Sequence, residues 1–231
     1  MTEPTTEFDL YADDYDAACA QGLAATGEDT EYFARGRVRW VASRLARHAA
    51  RPRSVLDFGC GTGSATPHLV EELGVERVLG VDVSPKSLEV ARRNHGGGRS
   101  EFRLLGESGP EGEFDLAYTN GVFHHVPVAE RARAVEYVFR ALRPGGLYAF
   151  WENSPWNPGT RFVMSRCPFD QDAVMLSPPE ARTLLRGGGF EVLGTDFLFI
   201  FPSSLRFLRW LEPHFARVPL GGQYLILCRK A

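Results

Sequence analysis

The chain is expected to fold as an α/β protein around a parallel sheet, on two observations. The stretch Ser54 to Ser64 reads S-V-L-D-F-G-C-G-T-G-S, an apolar strand that closes on a carboxylate and then three glycines at alternate positions. A helix-patterned run, Ala65 to Leu73, follows at once, so strand, glycine-rich turn and helix form the opening unit of such a sheet. Further along, short apolar runs alternate with segments of helical spacing, which is the second observation. A ligand site is expected at the carboxyl end of the first strand. Glycines suit that turn because it needs unusual dihedrals and because a ligand must approach the backbone without meeting a Cβ.

The glycine spacing bears on which ligand. A dinucleotide fingerprint places its third glycine three positions after the second, and with Gly59 and Gly61 as the first two that place holds Ser64. A pyrophosphate would also sit badly beside the Asp57 carboxylate, whereas a ligand carrying an ammonium would sit well. On D-F-G-C-G-T-G the chain resembles the class I S-adenosylmethionine-dependent methyltransferases, whose first motif is D-x-G-x-G-x-G. The resemblance implies that Asp57, Gly59, Gly61 and Gly63 surround the methionine end of the cofactor, S-adenosylmethionine. It further implies a Rossmann-like, seven-stranded, mostly parallel sheet with an antiparallel last strand, helices on both faces and an N-terminal helical lid.

In chain order, Phe8 to Ala25 is an acidic, Ala-rich, helical segment whose F-D-x-x-A-x-x-Y-D pattern is similar to that family's N-terminal lid. There Tyr15 would face the cofactor or the acceptor, or else pack the helix onto the domain. Val38, Val41, Leu45 and His48 recur at helical spacing, which predicts a second helix over Thr30 to His48. The resemblance implies an arginine near its start for the methionine carboxylate. Arg37 is the candidate, and Arg35 and Arg39 are expected on the solvated surface. Arg77 to Val83 is a second strand containing Asp82, and Ser84-Pro85 then supply an N-cap and a first-turn proline for a helix to about Asn94. A carboxylate about twenty residues past the glycine loop can accept both ribose hydroxyls, the role expected of Asp82. A third strand, Glu101 to Leu105, leads to Glu107, which stands where the family has an acid against the adenine.

Phe114 to Asn120 is a fourth strand that runs into G-V-F-H-H-V. The resemblance implies that Asn120 edges the cofactor and that His124 and His125 lie near the acceptor. Either imidazole is a candidate general base, because an unperturbed histidine titrates near neutral pH, and either is equally a packing residue. Pro127 to Leu142 has helical spacing, Arg143 to Gly146 stops it, and Leu147 to Trp151 is a fifth strand. The long stretch Glu152 to Asp172, with three prolines up to Pro168, argues against a regular helix across it. Its Trp156, Asn157, Arg161 and Arg166 offer an aromatic wall, an amide and two guanidiniums for a polar or anionic acceptor; the alternative is a structural cap or a dimer contact. A capping box at Ser177 to Glu180 starts another helix. Phe190 to Ile200 is a sixth strand and Gln223 to Cys228 the last, with an apolar insertion between them and Tyr224 beside it as a further acceptor candidate.

Composition narrows the function class. The 231 residues are 44% hydrophobic and 24% charged with a net charge of −3, which suits one soluble domain and offers no basic face for nucleic acid. Cys19, Cys60, Cys167 and Cys228 lie far apart with no CxxC pair, which reads as reduced cytosolic thiols, and no metal site is expected. No membrane-spanning run or signal peptide is recognised, so a cytoplasmic location is expected. One domain over 1–231 is expected, with a lid at 1–49, a cofactor core at 50–152 and substrate-side insertions at 153–177 and 201–221. The expected activity is in-line methyl transfer to a small-molecule acceptor, with a homodimer as an option. The rivals are a methyltransferase of protein or RNA, a cofactor binder without catalysis and a nucleotide-dependent oxidoreductase.

Overall fold

The computed structural model describes residues 22–106, 109–167, 170 and 173–231. The lid segment up to residue 21, including Tyr15, and the adenine candidate Glu107 lie outside these residues. Seven strands form one sheet in the order β3-β2-β1-β4-β5-β7-β6. They are β1 (Ser54–Phe58), β2 (Arg77–Asp82), β3 (Ser100–Leu104), β4 (Phe114–Asn120), β5 (Leu142–Asn153), β6 (Phe190–Leu198) and β7 (Gln223–Lys230). β1 to β5 pair in parallel, and β7 is antiparallel to both β5 and β6. The expected sheet is therefore present, antiparallel last strand included.

The helices are α1 (Thr30–Arg47), α2 (Thr66–Leu73), α3 (Pro85–His95), α4 (Arg131–Ala141), α5 (Pro158–Met164), α6 (Pro178–Gly187) and the short α7 (Glu212–Phe215). Local chemistry sets their starts. Asp29 caps α1 by accepting from the Tyr32 amide, Ser84 caps α3 by accepting from Ser87, and Ser177 with Glu180 forms the capping box of α6. Strand alternation then sends side chains to two cores. Val55, Leu116, Ala149, Trp151, Leu225 and Leu227 join Val38, Val41 and Leu45 of α1 and Leu69 of α2. Their neighbours Leu56, Ala117, Phe150 and Ile226 join Val135 and Val138 of α4 and Ala181 and Leu185 of α6 on the opposite face.

Two expectations need correction. The L-R-P-G-G turn does not precede β5 but lies inside it: Leu142 already pairs with Phe114, and the register shifts before Leu147 pairs with Leu116. The proline-rich stretch does hold a helix, α5, because Asn157 caps it and Pro158 occupies its first turn, where a missing amide proton costs nothing. In the apolar insertion before β7, Phe207 and Trp210 are 66% and 69% exposed. Among the described residues no helix is long and apolar enough to cross a membrane.

Candidate active site

The strand order reverses between β1 and β4, so the two chain directions part there and leave a crevice at the strands' carboxyl ends. The glycine turn lies at this point. Gly59 and Gly61 have φ of 72° and 53°, a left-handed backbone that a Cβ would strain. They differ in surroundings: a Cβ on Gly59 would come within 2.3 Å of Val122 Cγ2, whereas one on Gly61 would meet nothing within 4 Å. Gly59 thus serves packing, and Gly61 keeps space open at the strand end.

Two cavities flank the crevice. One, of about 500 Å³, is lined by the glycine turn, Asp82 and Val83 at the end of β2, Ser87, Leu105 and Tyr137. The other, of about 400 Å³, is lined by Tyr32, Phe33 and Arg37 of α1, by Phe162 and Met164 of α5, and by Phe199 and Gln223. Asn120, Gly121 and His125 line both.

On the first side, Asp82 Oδ2 accepts from the Gly61 amide at 2.8 Å and Oδ1 from the Ser84 amide at 2.9 Å. This carboxylate braces the glycine turn, and carboxylate oxygens are acceptors suited to hydroxyls. Asp57 is 2% exposed, and its Oδ2 has no hydrogen-bond partner. Burial, reinforced by the Asp82 charge and opposed by Arg37, pushes its pKa up to about 7. The buried Arg37 donates to Gln223 Oε1 at 3.1 Å while its Nε is also unpartnered. Arg35 and Arg39 both pair with Glu72 on the surface, as expected of them.

On the second side the two histidines differ. His124 is 4% exposed, with Nδ1 2.7 Å from Glu152 Oε2 and Nε2 3.4 Å from Asp170 Oδ1. Burial opposes its charge, but the Glu152 and Asp170 carboxylates outweigh burial and push its pKa up to about 10. An imidazole held protonated between two carboxylates is no general base at neutral pH. His125 lines both cavities, and its Nε2 lies 3.3 Å from the same Asp170 oxygen. The Asp170 carboxyl is driven up by burial but further down by its contacts with both histidines, to about 2.

The acceptor candidates fare unevenly. Asn157 lines the second cavity, but its amide is spent: Oδ1 accepts from Thr160 and Nδ2 donates to the Leu220 carbonyl. Trp156, Arg161, Arg166 and Tyr224 line neither cavity. Trp156 stacks on Phe197, the exposed Arg166 covers the Phe162 ring, Arg161 is exposed, and Tyr224 is buried with its hydroxyl donating to the Leu176 carbonyl. Sequence reasoning missed Asp170, Glu152 and Gln223. For Gln223 a signal existed, since strand parity puts it on the α1 face with Leu225 and Leu227 and turns Tyr224 away.

Residues 55–146 match the family described as "Methyltransferase domain". With the glycine turn, the Asp82 end of β2 and the sheet order already in place, this match decides the domain. Residues 55–146 are a class I S-adenosylmethionine-dependent methyltransferase domain. The chain is 37% identical over 118 residues to a trans-aconitate 2-methyltransferase of Methylobacterium nodulans, covering 51% of this chain and 45% of that protein. It is 41% identical over 69 residues to a ribosomal protein L11 methyltransferase of Burkholderia orbicola, covering 29% of this chain and 23% of that one. It thus spans less than half the length of either curated relative. The fold is shared with an S-adenosylmethionine-dependent methyltransferase from Mesorhizobium loti, at a TM-score of 0.57 and 23% identity over 81% of this chain and 97% of that one. S-adenosylmethionine is the cofactor of this domain type, and the residues present fit it. A buried, unpartnered carboxylate oxygen on Asp57 matches an ammonium, and the open face at Gly61 leaves backbone accessible to a ligand.

Proposed function

We propose that the protein transfers the methyl group of S-adenosylmethionine to a small molecule held in the cavity between α1 and α5. The observation that carries this is the junction of the two cavities at Asn120, Gly121 and His125. A cofactor bound along the glycine turn would present its reactive end there. In this arrangement Asp82 holds the ribose hydroxyls, Asp57 the methionine ammonium and Arg37 the methionine carboxylate. S-adenosylmethionine supplies a methyl group already activated by the sulfonium charge. The protein's part is alignment and exclusion of water, which proximity and orientation convert into rate. His125, at the junction and braced by Asp170, is the group placed to take a proton from a hydroxyl acceptor.

The second cavity favours an acceptor with an apolar body over a simple anion. Its walls include Tyr32, Phe33, Phe162, Phe199 and Phe201, and its Arg209 is paired with Glu28 at 2.7 Å. A cleft of this size suits a small molecule. The trans-aconitate relative acts on a small molecule by its name, and the ribosomal relative, which matches a shorter stretch, on a protein.

The test is incubation with methyl-labelled S-adenosylmethionine and a host extract separated by size. Label in the small-molecule fraction is expected. Label confined to protein or RNA would overturn the acceptor class, and label in no fraction would count against catalysis.

A further inference from the structure

We propose that His124, His125 and Asp170 form a binding site for a divalent first-row transition metal ion at the wall of the second cavity. One ligand atom from each residue lies within 4.8 Å of the other two. All three line the cavity, so an ion held by them would keep positions open towards it.

The distances within the cluster favour coordination over direct pairing. His124 Nε2 and His125 Nε2 stand 3.4 Å and 3.3 Å from the same Asp170 oxygen. A charge-assisted N–H···O bond closes to about 2.7–2.9 Å. The other nitrogen of the same His124 ring shows this, at 2.7 Å from Glu152. Two ligand atoms about 2.0–2.1 Å from a common ion at a tetrahedral angle are about 3.3–3.4 Å apart. Both histidine–Asp170 distances therefore match the spacing of donors around a shared centre, and the two histidine ligand atoms lie within 4.8 Å of each other.

The surroundings supply what such a centre needs. A ligating histidine donates its second ring N–H to a carboxylate, which fixes the tautomer and strengthens the ligand. Glu152 does this for His124, and it is itself held by the Phe123 amide at 2.7 Å. The Val174 amide donates to the His124 carbonyl at 2.9 Å. An ion would displace the proton that His124 Nε2 holds in the metal-free chain, and the two imidazoles, then neutral beside two carboxylates, leave a charge of −2 that a divalent ion balances. Two nitrogens and one carboxylate oxygen suit zinc, iron, cobalt or nickel better than calcium or magnesium. The ligand class for the open positions is an oxygen donor, a hydroxyl or carboxylate of the acceptor, and with its Nε2 on the ion His125 would leave activation of that hydroxyl to the ion; that last step rests on the methyl-transfer reading, whereas ion binding does not.

The test is equilibrium dialysis of the metal-free full chain against Co²⁺ and Zn²⁺, without cofactor or acceptor. One ion per chain is expected, with a cobalt absorption spectrum free of thiolate charge transfer, since Cys167 lines the same cavity. His125→Ala and Asp170→Asn, checked for folding by circular dichroism, should each weaken binding by about 10–100-fold or more. Absence of bound ion, unchanged affinity in either variant, or a thiolate band that vanishes in Cys167→Ser would overturn the site. None of these results depends on methyl transfer, so the two readings can fail separately.

Discussion

At the scale of single residues, the ammonium-binding role proposed for Asp57 comes with a cost in stability. Its folded pKa of about 7 lies above the ordinary value of 3.8, so the folded chain binds the extra proton between those values. Stability from this group is present below about pH 4 and is lost as pH rises to about 7, beyond which it is level. Binding a ligand ammonium beside the ionised carboxylate runs the other way. S-adenosylhomocysteine should therefore bind the wild type more tightly at pH 7.5 than at pH 5.5. Asp57→Asn should lose most of that dependence, bind weakly at both pH values, and gain thermal stability relative to the wild type as pH rises. Calorimetry and melting curves across this range check both signs. Arg161 and Arg166 belong to the opposite class. Exposed and outside both cavities, they predict alanine variants with unchanged KM and kcat. A rise in the acceptor KM would show that α5 moves onto the substrate.

At the scale of elements, the glycine turn joins two kinds of glycine that the sequence writes alike. Gly59→Ala drives a methyl into Val122 at a positive φ and should destabilise the fold by about 1–3 kcal/mol, read in denaturant unfolding. Gly61→Ala meets no neighbouring atom and should cost only the positive-φ strain, about 1 kcal/mol and less than Gly59→Ala, while its S-adenosylhomocysteine affinity falls about tenfold or more as the methyl enters the cofactor's path. What was legible here followed from local sequence. Ser84 capping α3, the Asp82 strand end and β4 over Phe114–Asn120 are written in short stretches whose chemistry is complete in itself. What was not legible needed tertiary contact. Asp170 and Glu152 reach His124 from other elements, and nothing in their local spacing announces the cluster. Tyr224 was misplaced by one residue of strand parity, which proximity to the insertion concealed.

At the scale of the whole molecule, the wall of the cavity proposed for the acceptor depends on α1 being locked to the far edge of the sheet. Arg44 donates twice to Asp196 of β6, at 2.5 and 2.8 Å, and Trp40 Nε1 donates to the same carboxylate at 3.1 Å. The pair is buried, so Asp196→Ala strands a guanidinium and should cost about 3–5 kcal/mol, seen as a Tm lower by roughly 10 °C. Because α1 also carries Tyr32, Phe33 and Arg37, the variant should lose acceptor and cofactor affinity together. A parallel sheet with a ligand site at the end of its first strand followed from the glycine turn and the alternation of elements, and the antiparallel last strand from the family resemblance, whereas the cavity's aromatic wall is assembled from three distant segments. The decisive measurement is a calorimetric titration of the wild type and Asp82→Ala with S-adenosylhomocysteine, with NADH as the comparison ligand. One molecule of S-adenosylhomocysteine bound per wild-type chain, none by the variant and no NADH by either is the result expected. Binding of NADH, or S-adenosylhomocysteine binding that survives the loss of Asp82, would contradict the proposed cofactor site.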